Sequence, residues 1–139
     1  MLQFFARRLR GERGFTLIEL LIVVAIIAIL AAILIPNFLR ARAQAQISAS
    51  KGNMKNLATA LESYFVDRGS YPGAVASLSP NYLRAVPNDP CTATAYGFTT
   101  TGAPPSDYRI SITFPAGNQC NSIIPGLSYT PGGGLQETP

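Results

Sequence analysis

The sequence contains no histidine and no tryptophan, and only 13% of its 139 residues are charged. Without histidine, Ser-His-Asp and Cys-His arrangements are excluded outright. The carboxylates Glu19, Glu62, Asp67, Asp89, Asp107 and Glu137 are scattered along the chain and form no general acid/base pair. No catalytic constellation is therefore expected, and the chain reads as a non-enzyme. Two cysteines without histidine do not complete a four-ligand zinc shell, so no metal or other cofactor is expected. No P-loop occurs, and the glycines at Gly132 to Gly134 read as linker. Asp67 and Asp89, within VDRGSYP and PNDP, read as turn or cap residues rather than ligands. Lys51 and Lys55 read as a solvated helix face, and no nucleic-acid partner is assigned.

What the sequence has in quantity is apolar residues, 47% of the total. Much of that content lies in one block, Phe15 to Ile35. Its 21 residues make a helix about 31 Å long at a rise of roughly 1.5 Å per residue, which matches a bilayer hydrocarbon core. The net charge of +4 is localised in front of this block, where Arg7, Arg8, Arg10 and Arg13 against Glu12 account for +3. Arginines before the helix and a nearly neutral remainder predict a single span with its N-terminus in the cytoplasm. The stretch AIIAILAAILIPN has no A-x-A site, so the block reads as retained rather than cleaved off as a secretory signal.

From Asn37 to about Arg68, Ile47, Met54, Leu57, Leu61, Tyr64 and Phe65 share one helical face. Gly52 weakens this helix locally, and Gly69 followed by Pro72 supplies its stop. Pro36 removes one helical hydrogen bond at the junction, so it either kinks one long helix or separates two. Pro72 to Pro90 reads as loop, with room for a short helical turn within Ala74 to Leu83. The sequence DYRISITF alternates cleanly as a strand, and Ala95 to Thr100 alternates more weakly. With TGAPPS between them, the two predict an antiparallel hairpin whose apolar face partners the amphipathic helix. The final TPGGGLQETP reads as a flexible tail. Cys91 precedes the first predicted strand and Cys120 follows the second, at the open end of the hairpin. A disulfide there is geometrically reasonable, and export supplies the oxidising setting; the alternative is two unrelated thiols in a cytosolic chain.

Glu19 sits inside the apolar block, where a carboxylate is costly. Thr16-Leu-Ile-Glu19 is a capping-box pattern that accounts for it locally. The alternative starts from a cut after Gly14. It would expose the amino group of Phe15, a cation at neutral pH, and remove the arginines. In a stack of such helices the amine of one copy could meet Glu19 of the next, and a misaligned copy would leave the acid unpaired. The two roles can coexist.

At these residues the sequence resembles a known family. GFTLIELLIVVAIIAILAAILIPN, with Gly14, Phe15 and Glu19 in place, is similar to the signal segment of type IV prepilins. A weaker likeness to pilins and to type II secretion pseudopilins extends through LATALESYFVDRGSYP and YLRAVPNDP. The resemblance implies an α+β fold, a long spine helix whose C-terminal half packs on a small antiparallel sheet. The implied layout is a cleaved basic leader over 1–14, a membrane and filament-core helix over 15–36, an amphipathic head helix over 37–69, and loop, sheet and tail over 70–139. It implies cleavage between Gly14 and Phe15 by a membrane aspartyl prepilin peptidase, N-methylation of Phe15, and pairing of Glu19 with a neighbouring Phe15. Pro36 would lie where the helix kinks or unwinds in the filament. The implied partners are other copies of the chain, the peptidase, the assembly machinery and, before assembly, membrane lipid. The precursor would sit in the cytoplasmic membrane and the filament outside the cell. A pseudopilin is the alternative, but major pseudopilins carry an acidic calcium loop near the C-terminus, and after Asp107 this chain has only Glu137. A monomeric membrane-anchored binding module is the reading from a different class.

Overall fold

A computed structural model describes residues 14–138. The predicted basic leader, with Arg7, Arg8, Arg10, Glu12 and Arg13, lies outside the described residues. One α-helix, α1, runs over Leu17–Arg68 and is continuous through Pro36, so the two-helix option for this junction is not the one adopted. A single 3-10 turn follows at Val75–Leu78, inside the predicted range. Four strands follow among the described residues: β1 (Gly97–Thr101), β2 (Asp107–Thr113), β3 (Gly126–Thr130) and β4 (Gly134–Thr138). The architecture is α+β, a long N-terminal helix with an antiparallel sheet. The chain divides into two compact units, one ending at Phe38 and the other beginning at Leu39.

In the second unit, burial along α1 falls on Ala43, Ile47, Ser50, Met54, Leu57 and Leu61. Steps of four and three residues keep these side chains on one stripe, and that stripe faces the core. The core's other wall comes from Tyr108, Ile110 and Ile112 of β2, Leu127 of β3, and Phe114, Cys120 and Ile124. Period-two alternation in β2 puts Tyr108, Ile110 and Ile112 on the buried face while Asp107, Arg109 and Thr113 face outward. Gly69, with φ +73°, ends the helix in the left-handed region, and its N–H donates to the Phe65 carbonyl.

The predicted hairpin exists, with Phe98 opposite Ile110 and Thr100 opposite Tyr108. The sheet extends further than the sequence indicates. Its order is β1-β2-β3-β4, all antiparallel, and the TPGGGLQETP segment expected to be a flexible tail supplies most of the last hairpin. That expectation is corrected for two physical reasons. Glycine-rich and polar residues suffice for β4 because β4 pairs on one side only, to β3. The glycines themselves form the turn, since Gly134 has φ +65°. Gly126 has a specific duty in β3. A Cβ there would lie 2.5 Å from the Ile112 carbonyl oxygen and 2.7 Å from Thr138 Oγ1, so its backbone approaches both neighbouring strands closely. Lys51 Nζ of α1 reaches Glu137 of β4 at 2.6 Å.

Cys91 and Cys120 form a disulfide spanning 29 residues of sequence. Asn118 steadies the same region, its Nδ2 donating to the Cys91 carbonyl at 2.9 Å while its Oδ1 accepts from the Cys120 N–H at 2.8 Å.

Candidate functional site

Gly14, Phe15 and Thr16 precede α1 without helical structure and are exposed. Phe15 is 83% exposed. Among the described residues nothing lies within 4 Å of where a Cβ on Gly14 would sit, so none of them sets a steric demand for glycine at this position.

Glu19 stands in the first turn of α1, where the capping pattern is realised in full. One carboxylate oxygen, Oε2, accepts from the Thr16 N–H at 2.9 Å and from Thr16 Oγ1 at 2.8 Å. In return the Glu19 N–H donates to Thr16 Oγ1 at 3.3 Å. These bonds satisfy helix-start donors, and the acid complements the positive end of the helix. They use only one of the two oxygens. Oε1 has no hydrogen bond to any described residue and can accept from outside the chain.

Around and beyond this acid, every large apolar side chain from Phe15 to Phe38 is at least 47% exposed. This stretch of α1 is long and apolar enough to cross a membrane and none of it is buried within the chain. At roughly 1.5–3 kcal/mol per large side chain, leaving it in water would cost tens of kcal/mol. Such a surface requires lipid or other protein around it.

The sequence-predicted positions therefore fall into separate places. Gly14, Phe15 and Glu19 lie within six consecutive residues at the start of α1, Pro36 lies inside α1, and Cys91 with Cys120 stabilises the second unit. Asp89 behaves as predicted for a turn residue: its Oδ2 accepts from the N–H groups of Cys91 and Thr92 and from Thr92 Oγ1. Asp67 does something else. Its carboxylate accepts a 2.8 Å hydrogen bond from the Tyr82 hydroxyl.

Sequence reasoning missed two polar ties in the second unit. Ser50, fully buried on the α1 stripe, lies 3.1 Å from the Tyr96 hydroxyl. Glu62 accepts from the hydroxyls of Tyr71, at 3.1 Å, and Tyr108, at 3.2 Å. Burial, reinforced by the Glu62 carboxylate, pushes the Tyr71 phenol up to about 12, and burial raises Tyr108 further still. The only signal available beforehand was a polar residue at an apolar spacing, which in Ser50 is easily taken for a surface position.

Residues 9–35 match the family described as the prokaryotic N-terminal methylation motif. The chain is similar to the type IV major pilin protein PilA of Myxococcus xanthus, 58% identical over 60 residues, which cover 43% of this chain and 27% of that protein. It is 46% identical over 79 residues to the type IV wide pilus major component PilA4 of Thermus thermophilus, covering 57% of this chain and 60% of the relative. It is also 41% identical over 69 residues to the type II secretion system core protein G of Pseudomonas aeruginosa, covering 50% and 49% respectively. The matches thus span less than two thirds of the length of these relatives.

Proposed function

We propose that this chain is a structural subunit of a type IV pilus. It is made as a precursor held in the cytoplasmic membrane by residues 15–36, with the N-terminus inside. A prepilin peptidase cuts it between Gly14 and Phe15, Phe15 is N-methylated, and the mature chain polymerises into an extracellular filament. The apolar helices form the filament core. The amine of Phe15 from one copy pairs with Glu19 of another, and Pro36, which makes no hydrogen bond to the Ala32 carbonyl, marks where the helix bends or unwinds on assembly.

The observation that carries this reading is the Glu19 Oε1, without a hydrogen bond to any described residue, at the head of an exposed apolar stretch of helix. A carboxylate already capped through Oε2 costs less to bury, and its second oxygen remains available to a cation from a neighbour. The exposed Gly14–Phe15 junction supports processing, because a peptidase needs an accessible peptide bond. Replacing Glu19 by Ala is expected to leave membrane insertion and cleavage intact and to abolish most filament assembly. Mass spectrometry of the mature N-terminus should find N-methylated Phe15. Wild-type filament yield from the variant, or an uncut leader, sinks the proposal.

The likeness to core protein G favours one second reading, a type II secretion pseudopilin. The two part on deletion: loss of surface fibres supports the pilus subunit, and loss of exoprotein release with fibres intact supports the pseudopilin.

A further inference from the structure

Between Glu19 and Glu62 the chain has no acidic residue, yet it carries Arg40, Arg42, Lys51 and Lys55. Lys51 is occupied by Glu137. Arg40 and Arg42 are exposed and form no ion pair with any described residue. Residues 36–42 are all exposed, and burial begins at Ala43. The two arginines are two positions apart, about 200° around the helix, so they emerge on opposite sides of it.

Their depth follows from helix geometry. Arg40 and Arg42 come five and seven residues after Ile35 in α1, about 7.5 and 10.5 Å of rise past the end of the apolar block. The headgroup layer of one leaflet is about 5–7 Å thick beyond the hydrocarbon. Side chains on a helix lean toward its N-terminus, and here that direction is toward the membrane. A long arginine side chain spans the remaining gap and places its guanidinium among phosphates, which it binds with a two-pronged donor set.

We infer that Arg40 and Arg42 form a phosphate-binding collar that holds anionic lipid headgroups of the outer leaflet while the chain is in the membrane. The inference rests on the membrane-held precursor of the proposed function but not on cleavage or polymerisation. The collar sets the depth of the helix and gives the precursor a preference for anionic over zwitterionic lipid. Lys55 is an internal control. It is exposed and of the same charge, but at twenty residues past Ile35 it lies about 30 Å along the helix, outside the reach of the headgroups.

The test uses the full chain in vesicles of phosphatidylcholine carrying a minority of phosphatidylglycerol, with insertion checked first by flotation in alkaline carbonate. Spin-labelled lipids then report the relative association of the two headgroups with the protein. The expected preference for phosphatidylglycerol is on the order of fivefold and is screened by salt. Because Arg7, Arg8, Arg10 and Arg13 also carry positive charge ahead of the apolar block, the Arg40→Gln/Arg42→Gln double variant should lower it by roughly half rather than abolish it. Lys55→Gln should retain it. Glutamine is a good helix former at these exposed positions, so the variants keep their fold. A wild-type chain that floats without headgroup preference, or a double variant that keeps the whole preference, overturns the collar and leaves the pilus reading standing. Equal loss in Lys55→Gln also overturns it, because the effect would then be diffuse charge. Failure to float overturns both.

Discussion

Residues 17–38 and 39–68 are the two halves of one helix, and they solve opposite problems. The first half is apolar all round its circumference and buries nothing within the chain. The second is apolar on one stripe, and that stripe is buried at its centre, Met54, Leu57 and Leu61 being fully inaccessible, while Tyr64 and Phe65 at its end are partly buried. A helix apolar on every side needs surroundings that are apolar on every side, whereas a striped helix needs one wall. The sheet supplies that wall. The contrast shows that apolar content alone says little about where stability resides; the angular distribution of the side chains decides whether a segment folds its own chain or recruits something else.

Matched substitutions break or sharpen this contrast, and the largest effect belongs to the striped half. In the full chain in detergent micelles, Leu57→Ala should cost about 3–5 kcal/mol in urea unfolding of the second unit, since the cavity is lined on all sides. Leu21→Ala, chemically the same change at a site 61% exposed, should stay within about 0.5 kcal/mol of wild type. Equal sensitivity at the two positions would mean that the first half does contribute to folding the chain.

Next in size is the disulfide. Opening the Cys91–Cys120 bridge, by reduction or by the Cys91→Ser/Cys120→Ser pair, releases a loop of about 30 residues, worth about 3.6 kcal/mol on chain-entropy grounds. For a domain of about 100 residues this lowers Tm by roughly 15–25 °C, readable by near-UV circular dichroism. The first half should keep its far-UV helical signal throughout, because none of its hydrogen bonds depends on the bridge. A parallel loss of both signals would join the two halves into one cooperative unit.

The same contrast explains what could be read in the sequence. The apolar block, the α1 stripe, β2 and the Gly69 stop were legible because each rests on local periodicity or on one residue with a special backbone role. The cystine was legible because two cysteines flanking a hairpin have one pairing. The strand β4 was not legible. Gly134-Leu-Gln-Glu-Thr138 has almost no apolar alternation, and its pairing to β3 depends on Gly126 leaving room for the Ile112 carbonyl on one side and the Thr138 side chain on the other, a tertiary fact. At the candidate site, Glu19 was legible as a cap from T-x-x-E, while the division of labour between its two oxygens is set by side-chain geometry that no spacing encodes. Glu62 and Ser50 were invisible for a related reason: their partners, Tyr108 and Tyr96, are 46 residues away.

The Glu62 tie gives a smaller, pH-dependent test. The Tyr71 phenol titrates near 12 in the folded chain rather than at 10.0, chiefly because it is buried and secondarily because it donates to Glu62. A raised phenol pKa means the folded state holds its proton more tightly than the unfolded state. Its contribution is therefore whole below pH 10 and is lost as pH rises toward 12. Unfolding midpoints should fall across that window, and Tyr71→Phe should flatten the fall, with tyrosinate absorbance recording the shifted titration. An unchanged pH slope in Tyr71→Phe would assign the loss to other groups.

The smallest expected effect concerns the ion pair that, among the described residues, links α1 to the edge of the sheet. Lys51 and Glu137 meet at 2.6 Å, but their side chains are 32% and 52% exposed. Water competes with both charges, and each long side chain must give up rotamers to hold the contact, so the net contribution is small. Lys51→Ala should shift stability by no more than about 0.5 kcal/mol, the range typical of an exposed pair. Its consequence should instead be local, because β4 is paired on one side only and little else fixes its outer edge. Amide exchange at Gln136 and Thr138 should quicken in Lys51→Ala while exchange in β2 stays slow. If β2 quickens equally, the pair supports the whole sheet, and the edge of the second unit is not the separable, weakly held element that its composition implies.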